Sequence, residues 1–293
     1  MATLMDGKAL AAKILAELKA ESVASKKRKP SLGMVLVGGN EATRAFIAQK
    51  KKTAEELGVD FRIYEYEPTI STNDLRKHIA TVVHDADPDG LIIQLPLPAH
   101  INTQYILNAV PSEKDVDVLS ARAVGNFAVG KSKILPPIVG AVQALFQEYG
   151  IDYHPKHVVV VGAGRLVGKP MAAWLASEKV SFTVVDENTA DIGEFTKNAD
   201  IIITGVGKPG LIIGDMIKDG AVVIDAGTSV SNQQPATSNQ QEAGSRKPVA
   251  ALAGDVDFDS VSQKASFITP VPGGVGPLTV VVIYKNLFTL ARQ

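Results

Sequence analysis

Apolar and polar positions alternate along this 293-residue chain in a regular order of short apolar runs and longer helical patterns. Runs rich in apolar residues, typical of strands buried on both faces, lie at 32–37, 90–95 and 157–161. Segments with helical periodicity separate them, such as 7–26 and 41–57. This order predicts an α/β fold built on mostly parallel sheets.

The remaining elements follow from the same periodicities. The predicted helices are 7–26, 41–57, 71–84, 103–109, 140–149 and 171–179. The predicted strands are 32–37, 61–66, 90–95, 157–161, 181–185, 199–204, 221–227 and 266–270. Polar residues 229–248 predict a mobile surface loop, and the Gly- and Pro-rich residues 270–279 predict another loop. The closing apolar segment 280–291 contains β-branched residues, but its length favours a helix.

Length and composition limit the classes of protein that this chain can be. Its length predicts two domains with a boundary near 136–140. With 30 basic and 31 acidic residues the net charge is −1, so we expect no nucleic-acid or membrane partner. The absence of cysteine excludes disulfides and thiolate catalysis. The first residues lack the apolar core of a signal peptide, which predicts a cytoplasmic protein.

The strand at 157–161 ends in a glycine turn, Gly162-x-Gly164-x-x-x-Gly168, that opens onto a helical pattern. Strand, glycine turn and helix begin a dinucleotide-binding unit, where a diphosphate approaches the backbone at the helix N-terminus. The spacing is one residue longer than the usual fingerprint, so a purely structural turn stays an alternative. The turn is not a phosphate loop of nucleotide hydrolases, because Pro170 stands where such a loop needs serine or threonine after its lysine.

Three further residues are candidates for chemistry. Asp186 ends the next strand, where a carboxylate can bind the ribose hydroxyls of NAD and repel a 2′-phosphate. Gln94 follows a buried strand at the edge where α/β sheets bind ligands, although a satisfied buried amide is equally compatible with the pattern. Lys50 lies one helical turn after Phe46, but the local sequence by itself indicates only a solvated surface charge at this position.

Other kinds of site are excluded by their missing residues. The acidic run at 85–90 resembles a calcium loop, but Pro96 stands where its last ligand should be glutamate. The five histidines have no metal-ligand spacing, so we expect no metal. No G-x-S-x-G motif is present, which argues against a nucleophile-elbow hydrolase.

An ordered set of motifs resembles the bifunctional methylenetetrahydrofolate dehydrogenase/cyclohydrolase family. The motifs are GGNEATRAFIAQKKK, DGLIIQLPLP, EKDVDVL, VVVGAGRLVGKP, DIIITGVGKPG, VVIDAGTS, GDVDF and ITPVPGGVGPLT. They run through nearly the whole chain except 229–248; QLPLP and TPVPGGVGP are the most specific of them. The resemblance implies two domains with a cleft between them: a three-layer α/β folate-binding domain (1–139 plus 277–293) and a Rossmann-like, doubly wound parallel-sheet domain (140–276).

The resemblance also implies roles for individual residues. Lys50 falls at the catalytic lysine, Gln94 at the glutamine that hydrogen-bonds it, and Asp117 at the aspartate that anchors the pterin ring. The implied substrate-binding residues are Phe46, Lys50, Gln94, Leu95, Pro96, Asp117, Pro272, Gly273 and Gly274. The implied cofactor-binding residues are Gly162, Ala163, Gly164, Arg165, Val167, Gly168, Asp186, Gly205, Val206, Gly207, Gly227, Thr228 and Thr279.

Several positions depart from the family pattern. Phe46 replaces a tyrosine, Val118 replaces a glycine, and residues 136–139 replace a P-C-T-P stretch. Ala163 and Gly164 replace an arginine and a serine, and Asp186 replaces a histidine. We therefore expect NADP, the family's usual cofactor, only slightly ahead of NAD, with Arg165 as a substitute for the missing arginine.

The expected function is oxidation of 5,10-methylenetetrahydrofolate with NAD(P), followed by hydrolysis to 10-formyltetrahydrofolate, in a homodimer. A single-activity enzyme, a non-enzymatic folate- or nucleotide-binding paralogue and a dehydrogenase for another small substrate are the alternatives.

Overall fold

The computed structural model describes residues 1–24, 28–39, 41–231 and 251–292. The β-strands are β1 (Thr3–Leu4), β2 (Ser31–Val37), β3 (Asp60–Tyr66), β4 (Gly90–Ile93), β5 (His157–Val161), β6 (Ser181–Val185), β7 (Ile201–Thr204), β8 (Val222–Asp225), β9 (Ser229–Ser231), β10 (Ala251–Ala253) and β11 (Phe267–Ile268). The α-helices are α1 (Gly7–Ala24), α2 (Glu41–Leu57), α3 (Thr72–Thr81), α4 (Thr103–Leu107), α5 (Ala121–Ala128), α6 (Pro137–Glu148), α7 (Gly168–Ser177), α8 (Ile192–Thr196), α9 (Phe258–Ser262) and α10 (Val275–Ala291).

One compact unit, the six-stranded unit, comprises Met1–Gly7 and Tyr149–Gly276. Its parallel sheet has the order β1-β11-β8-β7-β5-β6. The four valines of β5 are fully buried, as expected for a strand covered on both faces. Strands β6 and β7 lie on opposite sides of β5, so the order of the strands reverses at β5. In folds of this kind, ligands bind at the carboxyl end of the strand where the order reverses, which is the switch point.

The other unit, the three-stranded unit, comprises Lys8–Glu148 and the chain from Pro277 onward. Its parallel sheet has the order β3-β2-β4, and six of the seven residues of β2 are buried. The α/β class, the two-domain organisation and the Rossmann-like parallel sheet predicted from the sequence are confirmed.

The division between the units differs from the expected one at two places. Helix α6 belongs to the three-stranded unit, because its apolar face packs there: a Cβ on Gly140 would lie 2.7 Å from Val282 Cγ1 of α10. Residues 1–7 belong to the six-stranded unit, because β1 pairs with β11.

Some elements were predicted incorrectly or missed. The helix expected over 71–84 is α-helical only as far as Thr81, and a π-helical turn, Val82–Ala86, follows it. Helix α10 begins at Val275, inside the loop expected over 270–279, whereas the helical reading of the closing segment is confirmed. Helix α5 was missed because the charged loop before it gives no periodic signal; Ser120, whose hydroxyl accepts from the N–H of Ala123, caps it.

The predicted surface loop 229–248 lies mostly outside the described residues. Its first three residues are not a loop: β9 pairs with β10 in an antiparallel ribbon. Within the described ranges, no helix is both long and apolar enough to cross a membrane.

Candidate functional site

The centre of the three-stranded unit's site is the amine of Lys50 on α2. Lys50 Nζ donates a hydrogen bond of 3.0 Å to Oε1 of Gln94, which follows β4 directly. Gln94 Nε2 in turn donates to the carbonyl of Leu95 at 2.8 Å. Since the amide nitrogen is used on that carbonyl, its oxygen is the atom that faces the lysine.

Helix α10 fixes the backbone beneath this amine. Tyr284 is completely buried, and its hydroxyl donates to the carbonyl of Lys50 at 2.5 Å. Burial raises the pKa of the phenol, so it stays a neutral donor. Sequence analysis missed Tyr284; the one signal for it was a polar group within an apolar helix.

The two acids of the K-D-V-D stretch have different tasks. Asp115 is buried, and its Oδ2 accepts from the backbone N–H groups of Leu119 (3.0 Å) and Ser120 (2.7 Å), which shapes the loop before α5. Asp117 is partly buried, and its charge acts on Lys50. The structure therefore brings together the three predicted catalytic residues, Lys50, Gln94 and Asp117.

Burial shifts the ionisation of both charged groups at this site. It lowers the pKa of Lys50, an effect that the carboxylate of Asp117 partly opposes. It also raises the pKa of Asp117 to about 6; Lys50 opposes that shift and Asp115 adds to it. An amine with a lowered pKa beside an acid with a raised one is typical of sites that move protons near neutral pH.

Other predicted substrate residues of this unit lie next to these groups along the chain. Phe46, one turn before Lys50 on α2, is 39% exposed and can offer its ring to a ligand. Leu95 and Pro96 follow Gln94 and are joined by a cis peptide bond. Pro272, Gly273 and Gly274 lie in the six-stranded unit, immediately before α10.

In the six-stranded unit, four predicted cofactor residues pack tightly at the switch point. A Cβ on Gly168 would lie 1.9 Å from the carbonyl oxygen of Gly162, and one on Gly205 would lie 2.5 Å from Val167. Gly162 has a φ of 102°, which disfavours any side chain. This cradle of bare backbone at the start of α7 fits the diphosphate of a dinucleotide.

The remaining predicted cofactor residues lie in turns of the six-stranded unit, except Thr279. Asp186 adjoins it, because the N–H of Gly162 donates to the carbonyl of Val185 at 2.7 Å. Ala163, Gly164, Val206 and Gly207 are exposed in the turns after β5 and β7, Arg165 is partly buried, and Gly227 and Thr228 follow β8. Thr279 lies on α10 and belongs to the three-stranded unit, whereas the other members of the set belong to the six-stranded unit.

A buried acid missed by sequence analysis holds these turns. Asp255 is fully buried, and its carboxylate accepts from the Thr204 hydroxyl (2.8 Å) and from the N–H groups of Val206 (2.7 Å), Gly207 (2.8 Å) and Lys208 (2.7 Å). A Cβ on Gly227 would lie 2.2 Å from this carboxyl group. The only sequence signal for Asp255 was the GDVDF motif, which does not show that Asp255 contacts the turn after β7.

Asp225 forms a second buried carboxyl group beside it. Its oxygens accept from the N–H groups of Gly227 (2.9 Å), Asp255 (3.1 Å) and Val256 (3.0 Å). Burial, reinforced by the nearby charge of Asp255, raises the pKa of Asp225 to about 6. In the part of the chain that the structure describes, no group of three or more acidic, histidine or cysteine side chains could hold a metal ion.

Comparison with known proteins matches both parts of the chain. Residues 5–117 match the tetrahydrofolate dehydrogenase/cyclohydrolase catalytic domain, and residues 136–293 match the NAD(P)-binding domain of the same enzymes. A bifunctional protein FolD from Nautilia profundicola is 40% identical over 99% of this chain and 98% of its own length. One from Moorella thermoacetica is 38% identical over 100% and 99%.

Solved structures give the same result. The bifunctional FolD enzyme of Campylobacter jejuni has a TM-score of 0.89 and 37% identity, over 100% of this chain and 99% of that one. The dehydrogenase-cyclohydrolase of Trypanosoma brucei, complexed with NADP cofactor and inhibitor, has a TM-score of 0.90 and 33% identity, over 99% and 97%.

Proposed function

This chain belongs to the tetrahydrofolate dehydrogenase/cyclohydrolase family, and we propose that Lys50, Gln94 and Asp117 carry its chemistry. The enzyme oxidises 5,10-methylenetetrahydrofolate to the methenyl form with NAD(P) and hydrolyses that product to 10-formyltetrahydrofolate. The observation that supports our assignment is the 3.0 Å hydrogen bond from Lys50 Nζ to Gln94, with the charge of Asp117 acting on the same amine.

In the oxidation, a hydride leaves the methylene carbon of the folate and a positive charge develops on the bridge. The dinucleotide, when bound, supplies the nicotinamide ring that accepts this hydride. A protonated lysine would repel the developing cation, whereas a neutral amine does not. The burial that lowers the pKa of Lys50 therefore favours this step.

In the hydrolysis, water attacks the methenyl carbon. The neutral Nζ of Lys50 accepts the proton that this water loses, which makes Lys50 the general base. Gln94 holds the amine in place, because the nitrogen of its amide is fixed by the hydrogen bond to the Leu95 carbonyl. The neutral amide adds no charge to the site. The bond from this carbon to N5 then breaks as the new hydroxyl loses its proton and N5 takes one up, which leaves the formyl group on N10.

Substrate binding falls to groups around the amine. The carboxylate of Asp117 accepts hydrogen bonds from the pterin's amino group and adjacent ring N–H, two neighbouring donors that suit one carboxylate. Phe46 packs its exposed ring on the folate but has no hydroxyl to relay a proton. Leu95 and Pro96 supply further wall contacts. Substrate contacts from Pro272, Gly273 and Gly274 stay a prediction of the family resemblance.

In the six-stranded unit, the cradle around Gly162, Val167, Gly168 and Gly205 binds the dinucleotide's diphosphate. The rest of the cofactor site comes from the neighbouring turns of the same unit, and a contact from Thr279 stays a prediction of the family resemblance. A homodimer and a cytoplasmic location stay predictions, from the resemblance and from the sequence; light scattering of the purified protein would test the first.

The test of this assignment removes the amine. Lys50→Ala should lower cyclohydrolase activity at least about 100-fold, since general-base catalysis contributes that much or more. Lys52→Ala, on the exposed side of the same helix, is the matched control and should keep full activity. Circular dichroism should show an intact fold for both variants. Full hydrolysis by Lys50→Ala would show that the lysine is not the base.

A further inference from the structure

The turn after β6 holds a carboxylate in a fixed position. Asp186 Oδ1 accepts from the N–H of Asn188 at 2.9 Å, and the N–H of Asp186 donates to the Thr189 hydroxyl at 3.1 Å. The N–H of Thr189 donates back to the carbonyl of Asp186 at 3.0 Å. These three bonds order the turn before any ligand binds.

Asp186 directly follows a residue whose backbone contacts the glycine cradle. Val161 and Val185 are partners across β5 and β6, and the N–H of Gly162 donates to the carbonyl of Val185, the residue before Asp186. The next two residues of the glycine turn, Ala163 and Gly164, are exposed and carry a methyl group and a hydrogen. Glu187, also exposed, adds a second acid to the turn after β6.

NAD and NADP differ at one group, a ribose hydroxyl against a phosphate that carries up to two negative charges. A carboxylate can accept a hydrogen bond from the hydroxyl but repels the phosphate. Recognition of a phosphate needs cations or hydroxyl donors, and positions 163 and 164 provide neither. The ordered turn prevents Asp186 from swinging away without breaking its bond to Asn188.

We infer that Asp186, together with the small residues Ala163 and Gly164 of the glycine turn, makes this enzyme select NAD over NADP, contrary to the slight preference for NADP expected from the family resemblance. This inference rests on the proposed dinucleotide site of the six-stranded unit and names the cofactor that it takes. Asp186 is a specificity-determining residue that leaves the chemistry of the folate site unchanged.

The test is calorimetric titration of the full-length protein with NAD and with NADP, alongside kcat/KM for both. Wild-type protein should bind NAD at least about tenfold more tightly, a difference that narrows with added salt because the repulsion of the phosphate is screened. Ala163→Arg combined with Asp186→Ser should invert the ratio. Space around Gly164 is open, so Gly164→Ser can be added without a clash.

The matched control is Asp191→Asn, an acid a few residues further along that caps α8 through the N–H of Gly193. Asparagine caps a helix as well as aspartate does, so the NAD/NADP ratio should not change. A wild-type preference for NADP would overturn the inference, as would a ratio that Asp186→Ser leaves unchanged. If Arg165→Ala abolishes NADP binding while Asp186→Ser leaves the NAD/NADP ratio unchanged, then Arg165 and not Asp186 selects the cofactor. Failure to bind either dinucleotide would overturn the proposed site itself.

Discussion

The amine of Lys50 and the carboxyl group of Asp117 have opposite ionisation shifts with one cause. Burial penalises the charged form of each, and each group's charge offsets part of the other's shift. The carboxyl group of Asp117 therefore changes its protonation at a pH of about 6. Residue-scale chemistry at this site is therefore sensitive to pH.

Asp117 should make folate binding weaker in acid. Because the pKa of its carboxyl group is about 6, lowering the pH through 6 adds a proton and removes an acceptor for the pterin. We expect the KM for methylenetetrahydrofolate to rise by about tenfold per pH unit below that value. Initial rates across pH in wild type and Asp117→Asn test this; the variant should bind weakly at every pH. Asp87→Asn, an exposed acid of the same unit, is the control, and an unchanged pH profile in Asp117→Asn would contradict the assignment.

Val118 carries strain that its glycine-bearing relatives are expected to avoid. Its φ is 56°, in the left-handed region, while its side chain is 3% exposed and packs with Ala123 and Ile134. A β-branched residue in this region costs about 1–2 kcal/mol. The buried contacts of the side chain offset this cost.

Two nearby valines allow this strain to be measured. Val118→Gly loses packing but releases strain, whereas Val116→Gly loses packing from a fully buried position outside the left-handed region. We expect both variants to lose stability, but the loss in the free energy of unfolding should be about 1–2 kcal/mol smaller for Val118→Gly than for Val116→Gly. Urea denaturation measures both losses. Equal losses would show that the left-handed backbone at Val118 carries no strain.

At the scale of elements, buried carboxylates connect the turns that follow the strands of the six-stranded unit. Asp255 holds the turn after β7, and Asp225, the last residue of β8, holds the start of the GDVDF segment. Parallel strands deliver these turns to one edge of the sheet, but their shape depends on these two side chains.

Asp255→Asn should therefore weaken both stability and cofactor binding. An amide offers one acceptor oxygen where the carboxylate offers two, so buried N–H groups of the turn lose their partner. We expect a loss of about 2–4 kcal/mol in the free energy of unfolding and weaker NAD(P) binding by calorimetry. Asp257→Asn, which preserves the cap of α9, is the control. Unchanged NAD(P) binding in a folded Asp255→Asn protein would show that the turn held by Asp255 does not contribute to cofactor binding.

At the scale of the whole molecule, each unit is built from segments far apart in the sequence. The N-terminal residues complete the six-stranded sheet, where the N–H of Met5 donates to the carbonyl of Ile268 at 2.8 Å. Helix α10, at the other end of the chain, completes the three-stranded unit and reaches the backbone of Lys50.

The N-terminus should consequently stabilise the cofactor-binding unit. Met5 is fully buried, so Met5→Ala should cost about 2–5 kcal/mol through lost burial and the cavity left behind. Leu4→Ala, at a 49% exposed position of β1, should cost about 1 kcal/mol or less. Thermal unfolding with and without NAD tests this: a Met5→Ala variant whose melting temperature equals that of the wild type would show that the buried side chain of Met5 does not stabilise the unit.

The family resemblance supplied the three groups expected to act on folate, whereas the sequence by itself determined the alternation of strands and helices and the glycine turn. These features depend on local periodicity and on motifs of a few residues, which are readable without long-range contacts. Helix α5, the start of α10 and the short β1 were missed or misplaced because their signals are weak or because their partners lie far along the chain.

Only the tertiary structure decided which partners those residues have. Lys50 is 44 residues from Gln94 and 234 from Tyr284, and Asp255 is 51 from Thr204. It also decided that Asp115 shapes its loop while Asp117 acts on the lysine, although the two acids are only two residues apart. Hydrogen bonds of about 3 Å and the desolvation that shifts a pKa depend on packing between distant segments, which local patterns do not specify.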